Sequence, residues 1–267
     1  MKSKKLLITA GFGLAAYLFF LVSLAPASWL VWAVNQKSGV AVSLTQTRGT
    51  IWSGEGRLAI PARPGHPIDL GLVSWRLSLW RLFTGAINLS IDAQTSNQQI
   101  VTNITIRYGK IQLTNTLIQV PAQLAKEFYA PAALIAPSGQ IHIKSDNWTV
   151  KPNGIEGEIE LLWRNASSAL LGGQPLGDYR LVATGKGPRL QFRLTTLKGD
   201  LELHASGGWD IMGTGVLNLS GTARARARPE QFEPLLMLLG KNQGRGVRKF
   251  NINIRLPINL KGIPGFQ

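Results

Sequence analysis

Apolar residues fall at every second position through most of this chain. Ile87, Leu89, Ile91 and Ala93 alternate with Asn88, Ser90 and Asp92. Ile104 and Ile106 flank Thr105, and Ile141 and Ile143 flank His142. Ile155, Ile159, Leu161 and Trp163 share one parity, while Glu156, Glu158 and Glu160 hold the other. The pattern returns at Leu190, Phe192 and Leu194, at Leu201, Leu203 and Ala205, and at Phe250, Ile252 and Ile254. A period of two puts one set of side chains on each face of a strand, with one face dry and one wet. Such strands build antiparallel sheets, because parallel α/β strands are covered on both faces and read as unbroken apolar runs. Turn residues separate them, as in Lys151-Pro-Asn-Gly154, Gly185-Lys-Gly-Pro188 and Gly207-Gly208. About ten strands of this kind exceed what an open flat sheet holds comfortably. A filled barrel, a sandwich and a curled sheet with an apolar trough all remain open.

Two short helices interrupt the strands. Residues 121–128 start on a proline, which suits a first helical turn. Residues 229–239 do the same, place Phe232, Leu235, Leu236 and Leu239 at helical spacing, and end before Gly240.

The start of the chain obeys a different rule. Lys2, Lys4 and Lys5 are followed by no charge from Leu6 to Gln36. The run Leu6–Leu24, with Leu14, Phe19 and Phe20 inside it, is long enough to span a ~30 Å hydrocarbon core as a helix. Lysines before the span favour a cytoplasmic N-terminus, and Trp29 and Trp32 suit the far interface. A cleaved signal peptide is the competing reading, since Ala25-Pro26-Ala27 resembles an A-x-A site. Its apolar region is usually ~7–15 residues, shorter than this run. The expected organisation is a cytoplasmic tail over 1–5, a membrane anchor and interface over 6–34, and one β domain over 35–267. Anchor and β content together suggest the inner membrane of a Gram-negative bacterium, with the bulk of the chain in the periplasm.

Catalytic signals are thin. The chain has no cysteine, so thiol chemistry, disulfides and Cys-based metal sites are excluded. His66, His142 and His204 are scattered, and no nucleophile, metal or phosphate motif occurs. Glu156, Glu158 and Glu160 fit a solvated strand face better than paired acid–base carboxylates. No enzyme activity, metal or cofactor is expected.

Charge says more. The net charge is +15, and residues 220–267 hold nine basic against two acidic residues. Arg224, Arg226 and Arg228 alternate with Ala223, Ala225 and Ala227. On a strand they form an arginine row. It fits an acidic protein surface or anionic lipid headgroups, or it is merely solvated. Nucleic acid is not expected for an exported surface without a nucleic-acid motif.

Several stretches together resemble a known family. They are Gly49-Thr-Ile-Trp52-Ser-Gly54-Glu-Gly56, then Val73-Ser-Trp75-Arg-Leu-Ser-Leu-Trp80 with Gly85, then Pro175-Leu-Gly177-Asp-Tyr179, Gly207-Gly-Trp209 and the helix from Pro229. Their order resembles the N subunit of the bacterial type II secretion system, and more broadly the AsmA-like inner-membrane proteins. The resemblance implies a non-enzymatic protein with one membrane pass, serving export of folded proteins across the outer membrane. Its partners would be the inner membrane and other secretion components. The alternative function is a lipid-handling protein whose curled sheet holds acyl chains in an apolar trough. The overall expectation is an all-β chain: a single N-terminal transmembrane helix, then a curled antiparallel β-sheet domain with two short helices.

Overall fold

The computed structural model describes residues 2–29, 32, 43–63, 66–128, 132–211, 213–227, 229–239, 244 and 246–255. It opens with helix α1, Lys2–Ser23. Thirteen strands follow in a single sheet. They are β1 Ser43–Gly49, β2 Ser53–Arg63, β3 His66–Leu77, β4 Ile87–Thr95, β5 Gln98–Arg107, β6 Lys110–Pro121, β7 Pro137–Lys151, β8 Gly154–Ser168, β9 Pro175–Gly187, β10 Arg189–Lys198, β11 Leu201–Asp210, β12 Val216–Ala225 and β13 Val247–Arg255. Order in the sheet is order in the chain, and every neighbouring pair is antiparallel. The fold is therefore a meander in which each strand turns back on the last. Among the described residues β1 and β13 do not pair, so the sheet does not close into a barrel.

Register carries one apolar face through the whole meander. Trp75 sits opposite Ile91, Ile104 opposite Leu113, Ile143 opposite Leu161, and Leu161 opposite Leu181. The line continues through Leu194 and Ala205 to Phe250, by way of Gly221. Bulges keep the apolar side chains on this face where the sequence parity changes. In β6 the apolar face passes from Ile111 and Leu113 to Ile118 and Val120. The switch occurs at Asn115, whose φ is +50°. There Thr102 and Thr116 meet on the apolar side and share a buried hydroxyl–hydroxyl hydrogen bond of 2.9 Å. The pairing satisfies both groups, which burial would otherwise penalise.

Short helices cap the connections. Helix α2 (Leu79–Leu82) joins β3 to β4. Helices α3 (Ala125–Phe128) and α4 (Ala132–Ile135) lie between β6 and β7, and α5 (Pro229–Leu239) lies between β12 and β13. Helix α3 follows β6 yet touches β2, four strands away, so the sheet curls. Helix α5 covers the apolar face at the C-terminal part of the sheet. Its Phe232, Leu235 and Leu236 are buried with Tyr179, Leu201 and Phe250. A second cluster forms around Trp148, Ile155, Leu190 and Ile211. In β4–β6 the apolar side chains Leu89, Ile91, Ile100, Ile104 and Ile106 are only half-buried.

Candidate functional site

The most constrained region is the joint between α1 and the sheet. After Ser23 the chain runs along the β1–β2 turn, where Pro26 and Thr50 form an antiparallel bridge. Ile51 N–H donates to the Ala25 carbonyl at 3.0 Å. Ala25 and Ala27 are buried there, and their small side chains allow the close approach. Trp52 Nε1 donates to the Val22 carbonyl at 2.8 Å, tying the last turn of the helix to the turn of the sheet. The sequence motif explains the geometry. Gly49 has φ +91°, a backbone conformation natural to glycine. Gly54 pairs with Trp75, and a Cβ on Gly54 would sit 2.5 Å from the Trp75 ring. That gap lets the Trp75 indole lie flat against the turn and donate to the Thr50 carbonyl at 3.2 Å. Trp75 is 6% exposed. Two indoles thus lock the turn, one towards the helix and one towards the sheet.

A second constrained corner uses Pro175–Tyr179. Between Trp163 and Ala166 strand β8 bulges at Asn165, φ +49°. Asp178 Oδ1 accepts from the Asn165 N–H at 2.7 Å, so the freed donor is satisfied. Tyr179 packs on Trp163 with ring centroids 5.8 Å apart and donates its hydroxyl to the Leu201 carbonyl at 2.9 Å. Burial pushes the Tyr179 phenol well above its ordinary value. Gly177 has φ +145°, and a Cβ there would lie 2.1 Å from the Lys198 carbonyl oxygen. Trp209 stays half-buried beside the second apolar cluster and donates to the Gly215 carbonyl at 3.1 Å.

The opposite face of the sheet is polar. Glu156 pairs with Lys151 at 2.7 Å and Glu160 pairs with Arg180, so two of the three strand glutamates are neutralised by neighbours. Hollows of about 620 and 690 Å³ open on this face. Arg48, Glu55, Arg76 and Asp92 line the first; Glu158, Arg180 and Arg193 line the second. Charged walls of both signs do not suit an acyl chain.

The arginine row takes a different form from the one the alternation suggests. Strand β12 ends at Ala225, so Arg226 lies beyond it. Arg228 lies outside the described residues. Arg224 is exposed and stands opposite Glu202. The Glu202 carboxylate turns to Arg226 at 3.0 Å and to His204 at 3.0 Å. These hydrogen bonds, the Arg226 one foremost, hold Glu202 at about 2, below the usual carboxylate range. Lys249, across from Thr222, shares the face of Arg224. Arg248 does not: it faces inward beside Ala223 and pairs with Glu233 of α5. The basic face is therefore Arg224 and Lys249, with Arg226 held beside them through Glu202.

The depressed Glu202 value has a pH consequence. An unfolded glutamate titrates near ~4.3. The ionised carboxylate therefore contributes its full stabilisation above about pH 4.5 and loses it as pH falls towards 2. Melting temperatures at pH 7, 4 and 3 should fall more steeply for the wild type than for Glu202→Gln. Parallel curves would show that the carboxylate is not held by Arg226 and His204 in solution.

Residues 40–251 match the family model of type II secretion system protein N. The chain belongs to that family. Comparison with curated proteins and with solved structures finds no match. Protein N is an accessory component of the secretion system, is not known as an enzyme, and belongs to the cell envelope. Among the described residues no group of three or more His, Asp or Glu side chains is placed to hold a metal.

The structure brings Trp52, Gly54 and Trp75 together at the helix joint. Gly85, φ +70°, ends the α2 loop. Trp80 lies on α2 and is 82% exposed, outside either buried cluster. Pro175 is exposed at the start of β9, and Gly177 is packed within it. The described α1 side chains, Leu14, Phe19 and Phe20 among them, are largely exposed, as is Leu24 just after the helix. Leu6 and the other side chains of 1–10 lie outside the described residues. Among the described residues no helix is long and apolar enough to cross a membrane.

Proposed function

We propose that this protein N is a non-enzymatic component of the type II secretion system, anchored in the inner membrane by the segment 6–34. Residues 1–5 are cytoplasmic, and residues 35–267 stand in the periplasm as a rigid body that docks other secretion components during export across the outer membrane. The observation that carries the secretion role is the family match over residues 40–251. Support for the anchor comes from the uncharged run after Lys5 and from α1 itself. Its 18 uncharged residues from Leu6 to Ser23 give about 27 Å at 1.5 Å each. Ala25 and Ala27, buried in the bridge to the sheet, favour retention of the helix over cleavage. The mass of the mature protein from membranes checks this. The intact chain is expected, and a chain starting at Ser28 would overturn the anchor.

The secretion role is tested by deleting the chain and comparing periplasmic and extracellular levels of an exported folded enzyme. The periplasmic fraction is expected to rise and to return to normal on complementation. Unchanged secretion would count against a contributing role.

The face of Arg224 and Lys249 is the proposed docking surface towards an acidic patch on another secretion subunit. Exposed charges are screened beyond ~8 Å at physiological ionic strength, so the attraction weakens with salt. Arg224→Glu with Lys249→Glu should leave the fold intact and lower binding by roughly tenfold at low salt, with a smaller difference at high salt. Equal binding at both salts would reduce this face to a solvated one.

One observation favours a second reading. The apolar side chains of β4–β6 are half-buried rather than filled over. A bound acyl chain would cover them, making the protein a lipid carrier. Lipid extraction of the purified protein followed by mass spectrometry distinguishes the readings. Stoichiometric lipid supports the carrier, and its absence leaves the docking role alone.

A further inference from the structure

The helix joint and the α2 loop lie at the same end of the sheet. The β1–β2 turn holds the last turn of α1 through Trp52. The Trp52 carbonyl in turn accepts from the Leu77 N–H, the last residue of β3, at 2.6 Å. Helix α2 begins two residues later. Strands sit ~4.8 Å apart, so α2 stands about 10 Å along the sheet end from the joint.

This loop is unusual in what it exposes. Trp80 is 82% exposed and Phe83 is 84% exposed, with ring centroids 6.0 Å apart. Leu82 is exposed beside them. A water-facing loop has no reason to hold two adjacent aromatic rings out of the core, and exposed apolar clusters of this kind mark contact surfaces. The charge on the loop itself is basic. Arg81 is exposed on α2 and is the one charged residue between Arg76 and Asp92 in the sequence. Tryptophan with apolar neighbours and arginine is the composition that settles at the headgroup level of an anionic bilayer.

From this placement we infer that the α2 loop is a second membrane contact. Trp80, Leu82 and Phe83 enter the interfacial layer of the bilayer beside α1, and Arg81 meets anionic headgroups. The inference rests on the anchor reading above. A single helix is free to tilt in the bilayer, and the sheet locked to it would tilt with it. A second contact ~10 Å away fixes the tilt of the sheet against the membrane, and with it the direction in which the docking face points.

The chain has no cysteine, so single labels can be placed cleanly. Phe83→Cys, Phe12→Cys and Leu170→Cys each carry an environment-sensitive fluorophore in the full chain. The proteins are reconstituted in vesicles of phosphatidylethanolamine and phosphatidylglycerol. Nitroxide-bearing lipids quench either at the headgroup or deep in the acyl region. All three positions are exposed, so labelling should not disturb the fold. The Phe83 label is expected to shift to the blue and be quenched by the headgroup nitroxide, at least twofold more than by the deep one. The Phe12 label is expected to be quenched by the deep nitroxide. The Leu170 label, at the other end of the sheet, is expected to be quenched by neither. A Phe83 label that stays water-exposed while Phe12 is quenched deeply would overturn this inference and leave the anchor standing. The loop would then be free for a protein partner. Failure of quenching at Phe12 would overturn the anchor, and the second contact with it.

Discussion

Trp75→Ala is expected to destabilise the sheet domain by about 3–5 kcal/mol, the usual range for removing a buried large aromatic. Trp75 is nearly fully buried, fills the space that Gly54 leaves, and donates to the Thr50 carbonyl. Its loss opens a cavity beneath the β1–β2 turn and leaves that carbonyl without its indole donor. For a domain of this size the change corresponds to roughly 10 °C in melting temperature. Trp75→Phe keeps most of the packing and loses the N–H donor, so it should cost only about 1 kcal/mol beyond the volume lost. The functional effect is local. The turn under Trp75 holds Trp52, and Trp52 holds the end of α1. Limited proteolysis should therefore cut the variant near the joint before it cuts the body of the sheet. Equal melting temperatures for wild type and Trp75→Ala would remove the basis for treating the joint as rigid.

Gly177→Ala is the second substitution with a large expected effect. Its φ of +145° is strained for any residue with a Cβ, and the added carbon would meet the Lys198 carbonyl at 2.1 Å. Backbone strain of ~1–3 kcal/mol adds to an overpacking penalty of similar size, giving about 3 kcal/mol in all. The displaced segment includes Asp178, which holds the Asn165 bulge, and Tyr179, which anchors Leu201. Thermal denaturation should show a loss of roughly 6–12 °C. Asp178→Ala removes only the bulge cap and should cost about 1 kcal/mol. A Gly177→Ala variant as stable as the wild type would show that β9 can move away from Lys198 freely.

The alternation in the sequence reaches the strands that keep one parity throughout, such as β4 and β11. It fades where a bulge changes the parity. Strand β6 hides its alternation because Asn115 moves the apolar face from odd to even positions. Strand β7 does the same between Ile143 and Trp148, and β8 between Trp163 and Ala166. No local residue pattern announces such a switch, because an Asn at positive φ looks like any other polar residue on a strand. The arginine–alanine alternation outruns its strand for a related reason. Alternation with alanine continues past Ala225, but the strand does not, and the Glu202 carboxylate comes from the neighbouring strand. The family motifs were visible as residues, and their roles were not. Trp52 and Trp75 look alike in sequence; one holds the helix and the other the turn. Trp80 belongs to the same motif and lies outside the core, because β3 ends at Leu77 and α2 lifts the ring off the sheet.

The most direct test joins the membrane anchor to the secretion partners in one experiment. A photo-crosslinking residue is introduced at Arg224, on the basic face, and separately at Leu72, exposed on the polar face of β3. The full chain is expressed at native level in cells that secrete, irradiated, and purified from inner membranes for mass spectrometry. Position 224 is expected to yield a crosslink to another type II secretion component in the membrane fraction, weakened by high salt, and position 72 is expected to yield much less. Recovery of the chain in the soluble fraction, or crosslinks from position 224 to lipid alone, would contradict an anchored docking component of the secretion machinery.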